Sequence, residues 1–273
     1  MSDGGEELPV TSSKEPMWAP EASECYRGVV HGLLQAGVPF AVSGGFAFHH
    51  HTGIWRMTKD LDLVLPPEAV PRAFEVLVQE RFETYVQDPV WLAKARRGDY
   101  FVDLITGVGN ATLTVEQGWI DRAGEDEVLG IRCKVLSVEE MIASKMFVTR
   151  RERFDGADIA HLLRASAEDL DWDRLRKLTE PHWQMLYWHL VLFAYIYPSR
   201  THSIPGPVWR ELTERFKQSL GMPASSDPFR GTLVDPKMFA IDANEWGEPD
   251  LYRELWDHYP RPLQETNTTR SRE

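Results

Sequence analysis

The chain has 273 residues, 42% hydrophobic and 26% charged, with a formal net charge of −12, an ordinary globular composition that fills one large domain or two small ones. No apolar run reaches the roughly 18–20 residues that cross a bilayer, and two cysteines, Cys25 and Cys133, without metal spacing make no disulfide framework. The acidic balance disfavours a nucleic-acid partner, because phosphate neutralisation dominates such affinity, and fits a small polar or protein partner more easily.

The N-terminal stretch MSDGGEELPVTSSKEP has neither a basic start nor an apolar core. It reads as a disordered tail over 1–20, not as a secretory signal, and a reducing cytoplasm is the expected setting. Cys25, Val29, Val30, Leu33 and Leu34 predict an amphipathic helix over 20–35, closed by Gly37. VPFAVS at 38–43 reads as a short buried strand, broken by Gly44-Gly45 before a helix from 46. TKDLDLVL at 58–65 is a strand stopped by Pro66-Pro67. Val70, Phe74, Leu77 and Val78 share one face of a helix over 68–81. Strands are expected at 83–87 and 100–106 (YFVDLIT), with weaker ones at Trp119-Ile120 and 131–136. Ser137 and Glu140 have capping-box spacing and open a helix expected to reach Arg150, followed by another over 155–163.

Strand signals vanish beyond about residue 165, and helices are expected at 173–178, 181–195, 208–219 and 249–257. LYWHLVLFAYIY at 186–197 reads as a buried core helix, and Trp172, Trp183, Trp188, Trp209, Trp246 and Trp256 as core and interface anchors. The predicted organisation is a mixed α/β domain over 21–165, a helical domain over 166–262 and a frayed tail over 263–273. No internal repeat is found.

Asp60 and Asp62 carry the first chemical signal. Positions i and i+2 of a strand face the same way, so both carboxylates project together beside apolar Leu61, Leu63 and Val64. Ionised acids next to a core are costly without a partner cation, and carboxylate oxygen is what Mg²⁺ prefers. Alone, the pair reads equally as two solvent-facing strand-end acids. Ser43-Gly44-Gly45 adds a second signal, because glycines between a strand and a helix let backbone N–H groups approach a phosphate.

The run SGGFAFHHHTGIWRMTKDLDLVL resembles the signature of the polymerase-β-like nucleotidyltransferase superfamily: Gly-Gly, a short helix, then Asp-x-Asp. With Arg56-x-Thr58-x-Asp60-x-Asp62 it is similar to bacterial nucleotidyltransferases related to the abortive-infection toxin class. The resemblance implies a small mixed sheet flanked by helices and a third carboxylate on a neighbouring strand. Asp103 is the match, with Asp99 the fallback, placed in the turn after Gly98. Downstream, Glu140, Lys145 and Phe154-Asp155-x-x-Asp158 look like the family's later helical segment. Lys145, near Arg150, Arg151 and Arg153 in an otherwise acidic chain, is the implied triphosphate ligand. The stretches HLVLFAYIYPSR and RGTLVD look like extensions of uncharacterised members, which name no function.

His49-His50-His51 is not read as a zinc site, since consecutive helix positions diverge by about 100°. Ser43 lacks a nucleophile elbow and reads as a hydroxyl for phosphate. Asp173, Asp235 and Asp242 read as caps and turns.

The expectation is an α/β nucleotidyltransferase domain followed by helices, moving an NMP from an NTP, ATP favoured, to a hydroxyl of a small molecule, protein or tRNA. Asp60, Asp62 and Asp103 would be the catalytic and metal-holding set for two Mg²⁺ ions, with Mn²⁺ as a substitute. Ser43, Gly44, Gly45, Arg56, Thr58 and Lys145 would bind nucleotide. The competing reading is a non-catalytic nucleotide-binding or interaction module on the same fold; self-association and a toxin role stay open.

Overall fold

The computed structural model describes residues 10–11, 20–56, 58–221, 227–258 and 263. Apart from 10, 11, 20 and 263, the tails expected over 1–20 and 263–273 lie outside the described residues. The described residues form two compact units, one within 1–109, 114–137 and 260–273, the other within 110–113 and 138–259.

The first unit contains β1 (Val10–Thr11), α1 (Pro20–Gln35), β2 (Ala41–Val42), α2 (Gly44–Thr52), β3 (Trp55–Arg56), β4 (Asp60–Val64), α3 (Val70–Gln79), β5 (Glu83–Asp88), β6 (Leu92–Arg97), β7 (Tyr100–Ile105), α4 (Gln117–Arg122), β8 (Gly124–Val128) and β9 (Ile131–Val135). Seven strands make one mixed sheet in the order β5-β6-β7-β4-β2-β9-β8, and β1 pairs separately with β3. The β4–β7 and β2–β9 pairs are parallel, the rest antiparallel.

Alternation explains the sheet's two faces. Leu61 and Leu63, Ala93 and Ala95, and Val102 and Leu104 are wholly buried, while Asp60, Asp62, Lys94, Phe101 and Asp103 between them are only half-buried. Helices α1 and α3 pack on each other and on the sheet, supplying Tyr26, Val29, Val30 and Leu33, and Val70, Ala73 and Leu77. Each such fully buried large aliphatic is worth about 1.5–3 kcal/mol, so a one-residue slip of β4 would bury its acids and expose its leucines.

The strand expected over 38–43 shortens to β2, and Trp119-Ile120, expected as strand, lies in α4 with both side chains buried. Strands β1, β3, β6 and β8 are additional, β1 lying within the stretch expected as a disordered tail. The β6–β7 turn is Gly98-Asp99, with Gly98 at φ +63, the left-handed backbone that two-residue hairpin turns require.

The second unit contains α5 (Val138–Lys145), β10 (Thr149–Arg150), β11 (Arg153–Phe154), α6 (Gly156–Ser166), α7 (Trp172–Thr179), α8 (Trp183–Ile196), α9 (Gly206–Leu220), α10 (Gly231–Val234), α11 (Ala240–Asn244) and α12 (Leu251–His258). The helix expected to run to Arg150 stops at Lys145, and the chain turns through the β10–β11 hairpin. The capping box does not form. Ser137 donates its hydroxyl to the Arg122 carbonyl at 3.3 Å, and Glu140 is buried and accepts from Arg174 at 2.9 Å. Helix α8 buries only one face: Leu186, His189, Leu190 and Phe193 are inside, while Trp188, Val191 and Tyr195 are exposed. Of the tryptophans assigned to the core, Trp172 is buried and donates to the Ala167 carbonyl at 3.0 Å, whereas Trp188 and Trp246 are exposed.

Candidate active site

Asp60 and Asp62 project from one face of β4, and β7 runs parallel beside it with Asp103 directly opposite Asp62. Three acids, two residues apart on one strand and in register on the next, therefore share a small area of sheet. Asp99, the fallback, sits in the β6–β7 turn.

The backbone beneath this area is pinned by Tyr26 of α1. Its hydroxyl donates to the Lys59 carbonyl at 3.0 Å and accepts from Phe101 N–H at 3.2 Å, bridging the starts of β4 and β7. Burial, with the Asp60 charge adding to it, pushes the Tyr26 phenol up to about 12, so it stays a donor at neutral pH. Tyr26→Phe leaves the half-buried Phe101 N–H without that acceptor and is expected to cost about 1 kcal/mol. Urea unfolding reads this, and an unchanged midpoint would contradict it.

Ser43, Gly44 and Gly45 meet the acids at the start of α2. Ser43 N–H donates to the Asp62 carbonyl at 2.9 Å. Gly44 has φ +57, and a Cβ there would lie 1.8 Å from Asp62 Oδ2: the carboxylate occupies the space that any other residue would fill. A Cβ on Gly45 would lie 3.2 Å from the Thr58 methyl, and the Thr58 hydroxyl donates to the Asp60 carbonyl at 3.2 Å. Thr58 thus shapes the turn. Arg56 lies over the Phe48 ring at 4.8 Å. The three histidines take separate partners: His49 packs edge-on against Trp55, His50 pairs with Asp126, and His51 Nε2 meets the Leu136 carbonyl at 2.7 Å.

Sequence reasoning missed Lys94. It stands on β6 opposite Asp103, and its ammonium donates to both Asp103 oxygens at 2.6 and 2.9 Å. Burial raises the Asp103 carboxyl more than Lys94 lowers it, and Asp60 raises it further. Burial works against the Lys94 charge, but Asp103 and Asp60 outweigh it and hold the ammonium above its usual value. Both groups shift toward keeping protons, Asp103 chiefly because it is buried and Lys94 because of its carboxylate neighbours. Among the described residues no three His, Cys, Asp or Glu side chains are gathered as a ready cation cage. The chemistry of the donor set nevertheless fits a hard divalent ion: oxygen ligands, surplus negative charge, and a glycine at 44 whose missing Cβ makes room for the Asp62 carboxylate.

Lys145 belongs to the second unit. There its ammonium donates to Asp155 at 2.7 Å and Asp158 at 2.9 Å, with Arg153 on Asp155 at 3.1 Å. Arg150 and Arg153, expected on a helix, lie on the β10–β11 hairpin instead. Burial raises the Asp155 carboxyl, but the Lys145 and Arg153 charges outweigh it and hold it below its usual value. An acid depressed in the folded state adds stability above its unfolded pKa of about 3.9, and this is lost as pH falls through the folded value. Wild type should therefore lose stability below about pH 4 more steeply than Lys145→Met. Parallel acid-unfolding slopes would contradict the linkage.

The family model described as "Nucleotidyl transferase of unknown function (DUF2204)" matches residues 22–182. Among solved structures, the antibiotic-resistance factor ANT(2'')-Ia is 15% identical, with 64% of this chain and 97% of that chain covered at TM-score 0.43. An antigenic nucleotidyltransferase-like protein from Paracoccidioides brasiliensis is 18% identical, with 69% and 94% covered at TM-score 0.40. The lincomycin-bound lincosamide antibiotic adenylyltransferase LnuA is 12% identical, with 52% and 97% covered at TM-score 0.38. No curated protein matches. TM-scores this low decide nothing about chemistry, whereas the family match spans more than half of the sequence and includes Asp60, Asp62, Asp103 and Lys145. The chain belongs to this DUF2204 family of nucleotidyl transferases.

Proposed function

We propose that the chain moves an NMP from an NTP, ATP first among the candidates, to a hydroxyl of its acceptor and releases pyrophosphate, at the face of the sheet where Asp62 and Asp103 stand in register. The register is the observation that carries the reading. Asp60, Asp62 and Asp103 would hold Mg²⁺, two ions in the full complement, with Mn²⁺ able to replace it. When bound, the ions supply Lewis-acid polarisation of the phosphate and neutralise developing charge.

The residues do the rest by position. The N–H groups of Gly44 and Gly45 open α2 and donate to phosphate oxygens, with the Ser43 hydroxyl beside them. Thr58 fixes the turn, and Arg56 braces it through Phe48. Asp103 takes the proton of the acceptor hydroxyl. That oxygen forms its bond to the α-phosphorus, the bond from the α-phosphorus to the bridging oxygen breaks, and pyrophosphate leaves with the electron pair. Lys145, the remaining nucleotide-binding candidate, spends two of its three donors on Asp155 and Asp158 within its own unit. Positioning and electrostatics of this kind supply most of the rate in phosphoryl-type transfer.

The test uses full-length protein, Mg²⁺ and cell lysate with NTPs labelled at the α- or γ-phosphate. A discrete species carrying α-label and no γ-label is expected, lost on chelation. Its identity as protein, tRNA or small molecule names the acceptor. Nucleotide binding without label transfer in every lysate would favour the non-catalytic module instead.

A further inference from the structure

We infer that Lys94 is a positioning residue of this site, whose ammonium occupies Asp103 and withholds it from cation coordination until a nucleotide is bound. The inference rests on the three-acid reading above and adds an order of assembly to it.

Strand pairing sets up the contact. Tyr85, Lys94, Asp103 and Asp62 form one row across β5, β6, β7 and β4. Lys94 therefore reaches Asp103 straight across an antiparallel pair, on the side away from Asp62. Both carboxylate oxygens are engaged, and the two side chains are only 20% and 14% exposed. A charge this enclosed needs a partner at all times. That partner is Lys94, at 2.6 and 2.9 Å from the two oxygens, whereas Mg²⁺ would need oxygen at about 2.0–2.1 Å. A divalent ion must therefore compete with Lys94 for the same lone pairs.

The consequence is a division among acids of the same kind. Asp60 and Asp62 supply the carboxylates for the first ion. Asp103 joins when the bound triphosphate adds charge and the ammonium can turn toward it. Free metal alone then binds weakly, and the complete site forms only around substrate.

The test titrates Mn²⁺ alone into the full chain, reading free Mn²⁺ by electron paramagnetic resonance, and repeats it with a non-hydrolysable ATP analogue. Lys94→Met and Lys94→Gln should bind Mn²⁺ at least tenfold more tightly than wild type without nucleotide, and Lys94→Arg should restore weak binding. Equal or weaker binding by folded Lys94→Met or Lys94→Gln overturns the inference. Asp103→Asn serves if those variants do not fold. It should leave nucleotide-free Mn²⁺ affinity within twofold of wild type and weaken it at least tenfold when the analogue is present. An equal loss in both conditions would mean that Asp103 coordinates from the start, and Lys94 withholds nothing. Asp60→Asn separates the two levels: if it leaves Mn²⁺ binding with the analogue intact, the metal reading of the site itself falls, whatever Lys94 does.

Discussion

Asp62→Asn is expected to lower Mg²⁺-dependent NTP turnover at least about a thousandfold, a barrier increase of about 4 kcal/mol, while the protein stays folded. The amide keeps the size of the side chain, and the Asp62 backbone carbonyl still accepts from Ser43 N–H, so the β2–β4 junction survives. What the substitution removes is one carboxylate charge at the centre of the acid group, between Asp60 along the strand and Asp103 across it. An amide oxygen is a weak substitute for a carboxylate toward a hard cation. Pyrophosphate release measured beside thermal unfolding separates the two properties. Wild-type turnover in a folded Asp62→Asn protein would remove Asp62 from the metal set.

Gly44→Ala should be nearly as damaging by a different route. The new methyl would sit 1.8 Å from Asp62 Oδ2, so the carboxylate, the turn or both must move. A misplacement of about 1 Å near reacting groups costs on the order of a hundredfold in rate. The left-handed backbone adds about 1–2 kcal/mol of destabilisation for any residue with a Cβ. Gly37→Ala is the control. Gly37 has φ +67 and nothing within 4 Å of its Cβ position, so it incurs the backbone penalty without touching an acid. Turnover should fall at least about a hundredfold in Gly44→Ala and hold in Gly37→Ala. Equal turnover in both would mean that the glycine serves the backbone and not the carboxylate.

Much of the acid group was legible because its signals are local. Period-two alternation around Asp60 and Asp62, proline punctuation after Leu65, and a glycine pair ahead of a short helix each depend on few residues. Asp103 came through family resemblance, and the parallel register that seats it beside Asp62 is a long-range fact that no window of the sequence contains. Lys94 was missed for a physical reason. Its strand, LAKARR, is built of Leu, Ala, Lys and Arg, all strong helix formers, and the sheet overrides that preference. The signal that could have found it is Gly98-Asp99, a two-residue hairpin turn flanked by strand-length runs. Strand β8, GEDEV, hid in the same way. It is one of the sheet's two edges, where acidic residues guard against unwanted pairing and erase the apolar pattern.

The second unit misled at two points for related reasons. Glu140 matched a capping box by spacing but is drawn into a buried pair with Arg174. The cationic stretch after Lys145 read as the end of one helix, but the chain folds back as a hairpin. In each case a tertiary partner far along the chain, or a turn with no glycine or proline to mark it, outweighed a local pattern.

The most direct test of the central claim is anomalous diffraction from crystals grown with Mn²⁺ and a non-hydrolysable ATP analogue. The expected result is manganese density within coordination distance of Asp60 and Asp62, with Asp103 turned from Lys94 toward it and triphosphate oxygens at the Gly44-Gly45 turn. Manganese bound elsewhere, or nucleotide bound while all three acids stay free of metal, would contradict the account.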